Sequence, residues 1–171
     1  MREVFALYGP VIEQLSLLGE IYGRLLQLAQ EKEPVLQANK DLGAVRGFTE
    51  REEALMAEAV RAERLRMEAV GRIAQALGRE AHSLNVSELA GYAQPEEASK
   101  LLEAAGELMG VLQKLRAQND INRQLLEMNL SFAAFVLEGA AQEESLGSAY
   151  GASGAPVESE PGSFRLLDSE I

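Results

Sequence analysis

From Leu101 to Val136 a single stripe recurs at alternating steps of three and four: Leu101, Ala105, Leu108, Leu112, Leu115, Asn119, Asn122, Leu126, Asn129, Ala133 and Val136. A period of 3.5 keeps one face of a helix turned toward partner helices along its whole length. Few folds are open to a chain with such a stripe, because it demands a helix of about ten turns lying against other helices. The stripe also changes character along its length. Its first half is aliphatic, while three later positions carry asparagine. A buried amide without partners costs about 1–3 kcal/mol. The stretch Asn119–Phe135 is therefore expected to be partnered, wet or unfinished as a core.

A second stripe opens the chain: Val4, Tyr8, Val11, Leu15, Leu18, Tyr22, Leu25 and Ala29, widened by Phe5, Ile12 and Leu26. It predicts a first helix over about 3–32, with Pro10 in its first turns and Pro34 as the breaker. Thr49 and Glu52 have capping-box spacing and predict a second helix over about 50–77. Its inward residues are expected among Leu55 or Met56, Ala59, Ala62 or Glu63, Met67, Val70, Ile73 and Leu77, with Gly78 as the residue that ends it. A short helix is expected over about 86–92. The third long helix begins at Pro95, the favoured first position, and runs over about 95–138. At 1.5 Å per residue it would reach roughly 65 Å against about 42 Å for the second. The expected fold class is all-α, an antiparallel three-helix bundle or coiled coil with a long C-terminal helix. Residues 1–139 are expected as the bundle and 140–171 as a flexible acidic tail.

Charge narrows the partners. Of the 27 acids and 16 bases that set the formal charge of −11, seven acids and one base (Arg165) fall from Glu138 onward. Neither the bundle nor the tail has the clustered Lys and Arg that reward nucleic acid or an anionic membrane surface. Arg61, Arg64 and Arg66 are interleaved with Glu58, Glu63 and Glu68, as on a solvated helix face. No apolar run approaches the ~20 residues needed to span a bilayer, and no secretion signal is evident, so a cytoplasmic protein is expected. The tail is rich in Gly, Ser, Ala, Glu and Pro, yet closes on Phe164, Leu167 and Ile171 at helical spacing with Leu166 beside them. That group reads as a docking element on a tether.

Catalysis finds little support. There is no cysteine, and the one histidine, His82, lacks the Glu-x-x-His spacing of a carboxylate-bridged metal bundle. No phosphate loop or nucleophile elbow is present. No enzyme, cofactor or metal is expected. What remains is the Asn119–Phe135 stretch. One seam asparagine is well explained as register control, but three are not. Leu125, Leu130, Phe132 and Phe135 lie off the seam, so this segment is apolar around much of its circumference and needs burial on several sides. A partner is the expected cover. Asn119, Asn122, Leu125, Leu126, Asn129, Leu130, Phe132 and Phe135 are the candidate binding residues. Phe164, Leu166, Leu167 and Ile171 are the candidate tail-docking residues.

The pattern Asn119-x-x-Asn122-x-x-Leu125-Leu126, followed by Leu130-x-Phe132, resembles the signature of the FlgN family of flagellar type III export chaperones. The Glu31-Lys32-Glu33 break, the Arg- and Glu-rich second helix and the Val86-Ser87-Glu88-Leu89 helix start extend the resemblance over most of the chain. Asn129 stands where the family usually has serine. The resemblance implies a non-enzymatic cytoplasmic chaperone for hook–filament junction proteins of the FlgK and FlgL type. Such a chaperone binds their C-terminal helices, prevents premature assembly and delivers them to the export gate. The alternative is a self-associating coiled-coil adaptor. Sequence leaves monomer and homodimer both open.

Overall fold

The computed structural model describes residues 7–38 and 42–149, with side chains described through Ala141 save at Leu42. Val4 and Phe5 of the first stripe, and Phe164, Leu166, Leu167 and Ile171 of the expected docking element, lie outside the described residues. The described chain is all helical: α1 spans Tyr8–Ala38, α2 Leu42–Leu77, a 3₁₀ turn Ala81–Ser83, α3 Val86–Tyr92 and α4 Pro95–Ala149. By compactness it separates into two units, Met1–Asn129 and Leu130–Ile171.

In the first unit the three long helices share a core with two clusters. Tyr8, Val11 and Leu15 of α1 meet Ala69, Val70, Ile73 and Ala74 of α2 and Leu101 and Ala104 of α4, with Leu84 and Leu89 closing the end. Higher up, Leu18, Ile21, Leu25 and Leu28 meet Leu55, Ala59 and Ala62, with Leu108 and Leu115 only partly buried against them. Residue numbers rise together in α1 and α4 and fall in α2. Both α1 and α4 are thus antiparallel to α2, as in an up-down-up bundle. The salt bridges Arg24–Glu58 and Lys32–Glu52 follow the same antiparallel register along α1 and α2.

Local signals account for most helix ends. Pro10 falls among the first residues of α1, where an N–H has no intrahelical acceptor to lose. Gly78 ends α2 at φ 63°. Its N–H donates to Gln75 O at 3.2 Å and that of Arg79 to Ala74 O at 2.9 Å, the two bonds of a Schellman motif. Asn85 caps α3 by a reciprocal box: the Glu88 N–H donates to Asn85 Oδ1 at 2.9 Å and the Asn85 N–H to Glu88 Oε2 at 2.8 Å.

Four expectations are corrected. Pro34 does not end α1, which continues to Ala38. Leu36, 2% exposed, and Lys32, paired with Glu52, anchor the turns on either side of the proline, and this packing overrides its missing donor. Thr49 is no cap: α2 begins seven residues earlier, and the Thr49 hydroxyl donates back to Val45 O at 3.2 Å. Met67 is 60% exposed, and half-buried Arg66 takes the inward step. Its guanidinium donates to both Glu63 oxygens at 2.7 and 2.6 Å, which leaves the aliphatic stem free to cover the core. Finally, α4 continues past residue 138 to Ala149, because Ala, Gln and Glu in that stretch favour helix.

Tyr8 joins the first helix to the third. Its ring is fully buried and its hydroxyl donates to Leu89 O at 3.0 Å. In α3 the next turn closes early, with the Ala93 N–H on Ala90 O. Tyr8→Phe should lower unfolding stability in urea by about 1–3 kcal/mol, the cost of leaving a buried carbonyl unpaired. Burial, followed by Glu97 and Tyr92, raises the Tyr8 pKa above its ordinary 10.0. Its contribution is therefore present below pH 10 and lost as pH rises through the higher folded value. Tyr8→Phe should flatten that alkaline limb.

Candidate partner-binding site

Within the first unit, α4 is dense with core contacts at its base and loosens above Ala104. Leu101 and Ala104 are buried, Leu108, Val111, Leu112 and Leu115 are half-buried, and of the positions beyond only Asn122 is fully buried, 3% exposed. The inward stripe runs 101, 104, 108, 111, 115, 118, 122, 125, 129. The expected stripe has the right period but the opposite phase: from Leu101, Leu108, Leu115 and Asn122 it steps by four where the helix steps by three. Asn119 is therefore exposed, and half-buried Gln118 occupies its place, donating to Glu33 Oε2 at 2.6 Å.

The other two asparagines face α1. Asn122 Nδ2 donates to Ala29 O at 2.7 Å, and Asn129 Nδ2 donates to Leu36 O at 2.9 Å. Donors and acceptors are each seven residues apart, so the same bond repeats after one heptad. Leu36 lies in the last turn of α1, where carbonyls have no intrahelical donor, so Asn129 acts as a cap from a neighbouring helix. Asn122 Oδ1 is buried with no hydrogen-bond partner among the described residues. Leu125 and Leu126 beside these amides stay half-buried. An open cleft of about 370 Å³ lies here, lined by Leu25, Met56, Leu115, Asn119, Asn122 and Leu126 and edged by Lys32, Glu52 and Arg123.

Sequence reasoning missed a second apolar strip on α2. Met56, Val60 and Met67 are exposed, and with Tyr22 and Glu63 they border an open cleft of about 330 Å³. Their steps of four and seven parallel the core stripe one residue away. That doubled pattern was the available signal.

The second unit, taken alone, offers the largest apolar side chains to solvent. Every side chain from Leu130 to Ala141 is exposed. Phe132 is 60% and Phe135 73% exposed, with Leu130, Val136 and Leu137 alongside. No charged residue falls between Glu127 and Glu138. Phe132 and Phe135 project on one flank of the helix and Leu130 and Leu137 on another, so no single core stripe explains them.

No group of three or more His, Cys, Asp or Glu among the described residues has the geometry to hold a metal. His82 is exposed, with Nδ1 at 4.0 Å from Glu80. No helix among the described residues is long and apolar enough to cross a membrane. Among the described residues the arrangement offers apolar surface, amide hydrogen bonds and the charged edge formed by Lys32, Glu52 and Arg123.

Against known proteins, the family model described as FlgN protein matches residues 7–158. The chain belongs to the FlgN family. This is a family of flagellar export chaperones, which bind flagellar proteins as substrates, and not a family of enzymes. No curated protein and no solved structure matches the chain. The Asn-x-x-Asn-x-x-Leu-Leu resemblance noted above falls inside the FlgN match, on the part of α4 where aliphatic core gives way to amides.

The amide geometry sets a test of that seam. Asn122→Asp is nearly isosteric but places a carboxylate against the Ala29 carbonyl. Burying that charge should cost about 3 kcal/mol at neutral pH. Burial raises the folded pKa of the new carboxyl. The variant should thus approach wild-type stability at acid pH and lose it as pH rises through that value, as followed by thermal denaturation.

Proposed function

We propose that this FlgN-family chain is a cytoplasmic export chaperone that binds the C-terminal helices of hook–filament junction proteins of the FlgK and FlgL type. It keeps them from assembling early and delivers them to the type III export gate. The observation that carries the reading is the exposed apolar stretch Leu130–Leu137. A junction-protein helix that later assembles through apolar contacts must expose such a stripe beforehand, and the flank of α4 that carries Phe132 and Phe135 is a natural cover for it. Leu130, Phe132 and Phe135 supply the anchors. In the first unit, Asn122 and Asn129 set register, exposed Asn119 and half-buried Leu126 border a cleft of the same mixed character, and Leu125 is half-buried beside them. No catalytic residue, cofactor or metal enters this reading, nor does nucleic acid or membrane insertion.

The same exposed surface is compatible with a second reading, a self-associating coiled-coil adaptor, since like helices also pair through such faces. Sedimentation of the full chain with and without a junction-protein C-terminal peptide separates the two. A monomer, or a dimer that takes up peptide, supports the chaperone; a stable homodimer that ignores it supports the adaptor.

Phe132→Ala and Phe135→Ala should each weaken peptide binding by about tenfold or more, as for aromatic anchors at interfaces. Because both side chains are mostly exposed, melting temperature should shift by no more than about 2 °C. Calorimetric titration and thermal melts on the same samples check both. A large loss of melting temperature with unchanged affinity would assign these residues to ordinary core.

A further inference from the structure

The second unit contains both an uncovered apolar surface and a segment suited to cover it. Along α4, Leu130, Phe132, Phe135, Val136 and Leu137 are all exposed. Phe164, Leu167 and Ile171 recur at i, i+3 and i+7 with Leu166 beside them, the spacing of one helix face. We propose that Phe164–Ile171 of this chain occupies the Phe132, Phe135 and Val136 flank of the Leu130–Leu137 stretch when no substrate helix is bound, so that substrate must displace it. The proposal rests on the reading of that surface as the substrate site.

Chain length permits it. Residues 150–163 form a connection of 14 residues that can span at most about 50 Å. From Ala149 back along α4 the rise is about 21 Å to Phe135 and about 29 Å to Leu130. The connection therefore reaches the whole surface with slack. A ligand tethered this closely acts at an effective concentration in the mM range, so a segment too weak to bind as a free peptide still suffices. A second copy of the chain would have to approach that concentration to compete.

Charge and the family match point the same way. Arg165, between Phe164 and Leu166, is the only Lys or Arg after Arg123. Exposed Glu138 borders the apolar stretch and gives that guanidinium a partner that orients the segment. The FlgN match stops at residue 158, so the proposed cover lies outside the matched framework while the surface lies within it.

The test uses the full chain carrying Phe164→Ser, Leu167→Ser and Ile171→Ser together. Affinity for a junction-protein C-terminal helix peptide, measured calorimetrically, should rise about 2- to 10-fold as the internal competitor is lost. Unchanged or weaker binding would overturn the proposal. Because the chain has no cysteine, a nitroxide on Ser169→Cys gives a second readout. It should broaden the amide resonances of residues 130–137 in the free chain, and the peptide should restore them. No broadening, or broadening found only between mixed labelled and unlabelled copies, overturns it in favour of an unoccupied or dimeric surface. The two readings fail separately: Phe132→Ala binding peptide as well as the parent sinks the substrate site, while the nitroxide still reports where the segment sits.

Discussion

Two side-chain amides on α4, one heptad apart, each donate to a backbone carbonyl of α1, and the upper half of the first unit depends on that pair of bonds. Apolar side chains slide past one another at small cost, because dispersion and burial have no preferred direction. A hydrogen bond to a particular carbonyl does have one. A displacement of α4 that breaks the bond to Ala29 O would leave Asn122, 3% exposed, with its amide nitrogen unpaired as well as its Oδ1. The amides therefore hold the parallel register of α1 and α4 where few aliphatic contacts remain to hold it.

The cost of that device is a thin core. Tyr8, Val11, Leu15, Ile73 and Leu101 fill the base of the unit, whereas Leu108 and Leu115 are only partly buried. Above them Met56 and Leu126 line an open cleft instead of a sealed interior. Polar groups in a seam trade stability for specificity of pairing. For a family that binds flagellar proteins as substrates, surfaces that are open and only partly apolar suit transient contact better than a closed core. The Leu130–Leu137 stretch carries the same logic furthest, with large apolar side chains left mostly to solvent.

Much of the fold was legible in the sequence because it is written in short-range rules. Gly78, Asn85 with Glu88 and Pro95 mark helix ends through backbone geometry and local hydrogen bonds. Errors arose where a local signal met a tertiary contact. The proline at 34 lacks a donor, but Leu36 and the Lys32–Glu52 pair hold the helix beyond it. The Thr49–Glu52 spacing looks like a cap, but Glu52 is engaged by Lys32 of α1. Arg66 reads as surface until Glu63 satisfies its charge and leaves its stem to pack.

By itself the sequence determined that this chain is a set of long helices, that one of them carries a 3.5-residue stripe, and that polar amides interrupt it. Periodicity and propensity are properties of consecutive residues, so those conclusions needed no coordinates. Only the tertiary structure decided which step of the stripe is three and which is four. That choice exposes Asn119, turns Gln118 inward and aims Asn122 and Asn129 at Ala29 and Leu36. The physical reason is that 3.5 lies between two whole residues. Either step satisfies the pattern, and the contacts available on the neighbouring helix settle which one is taken.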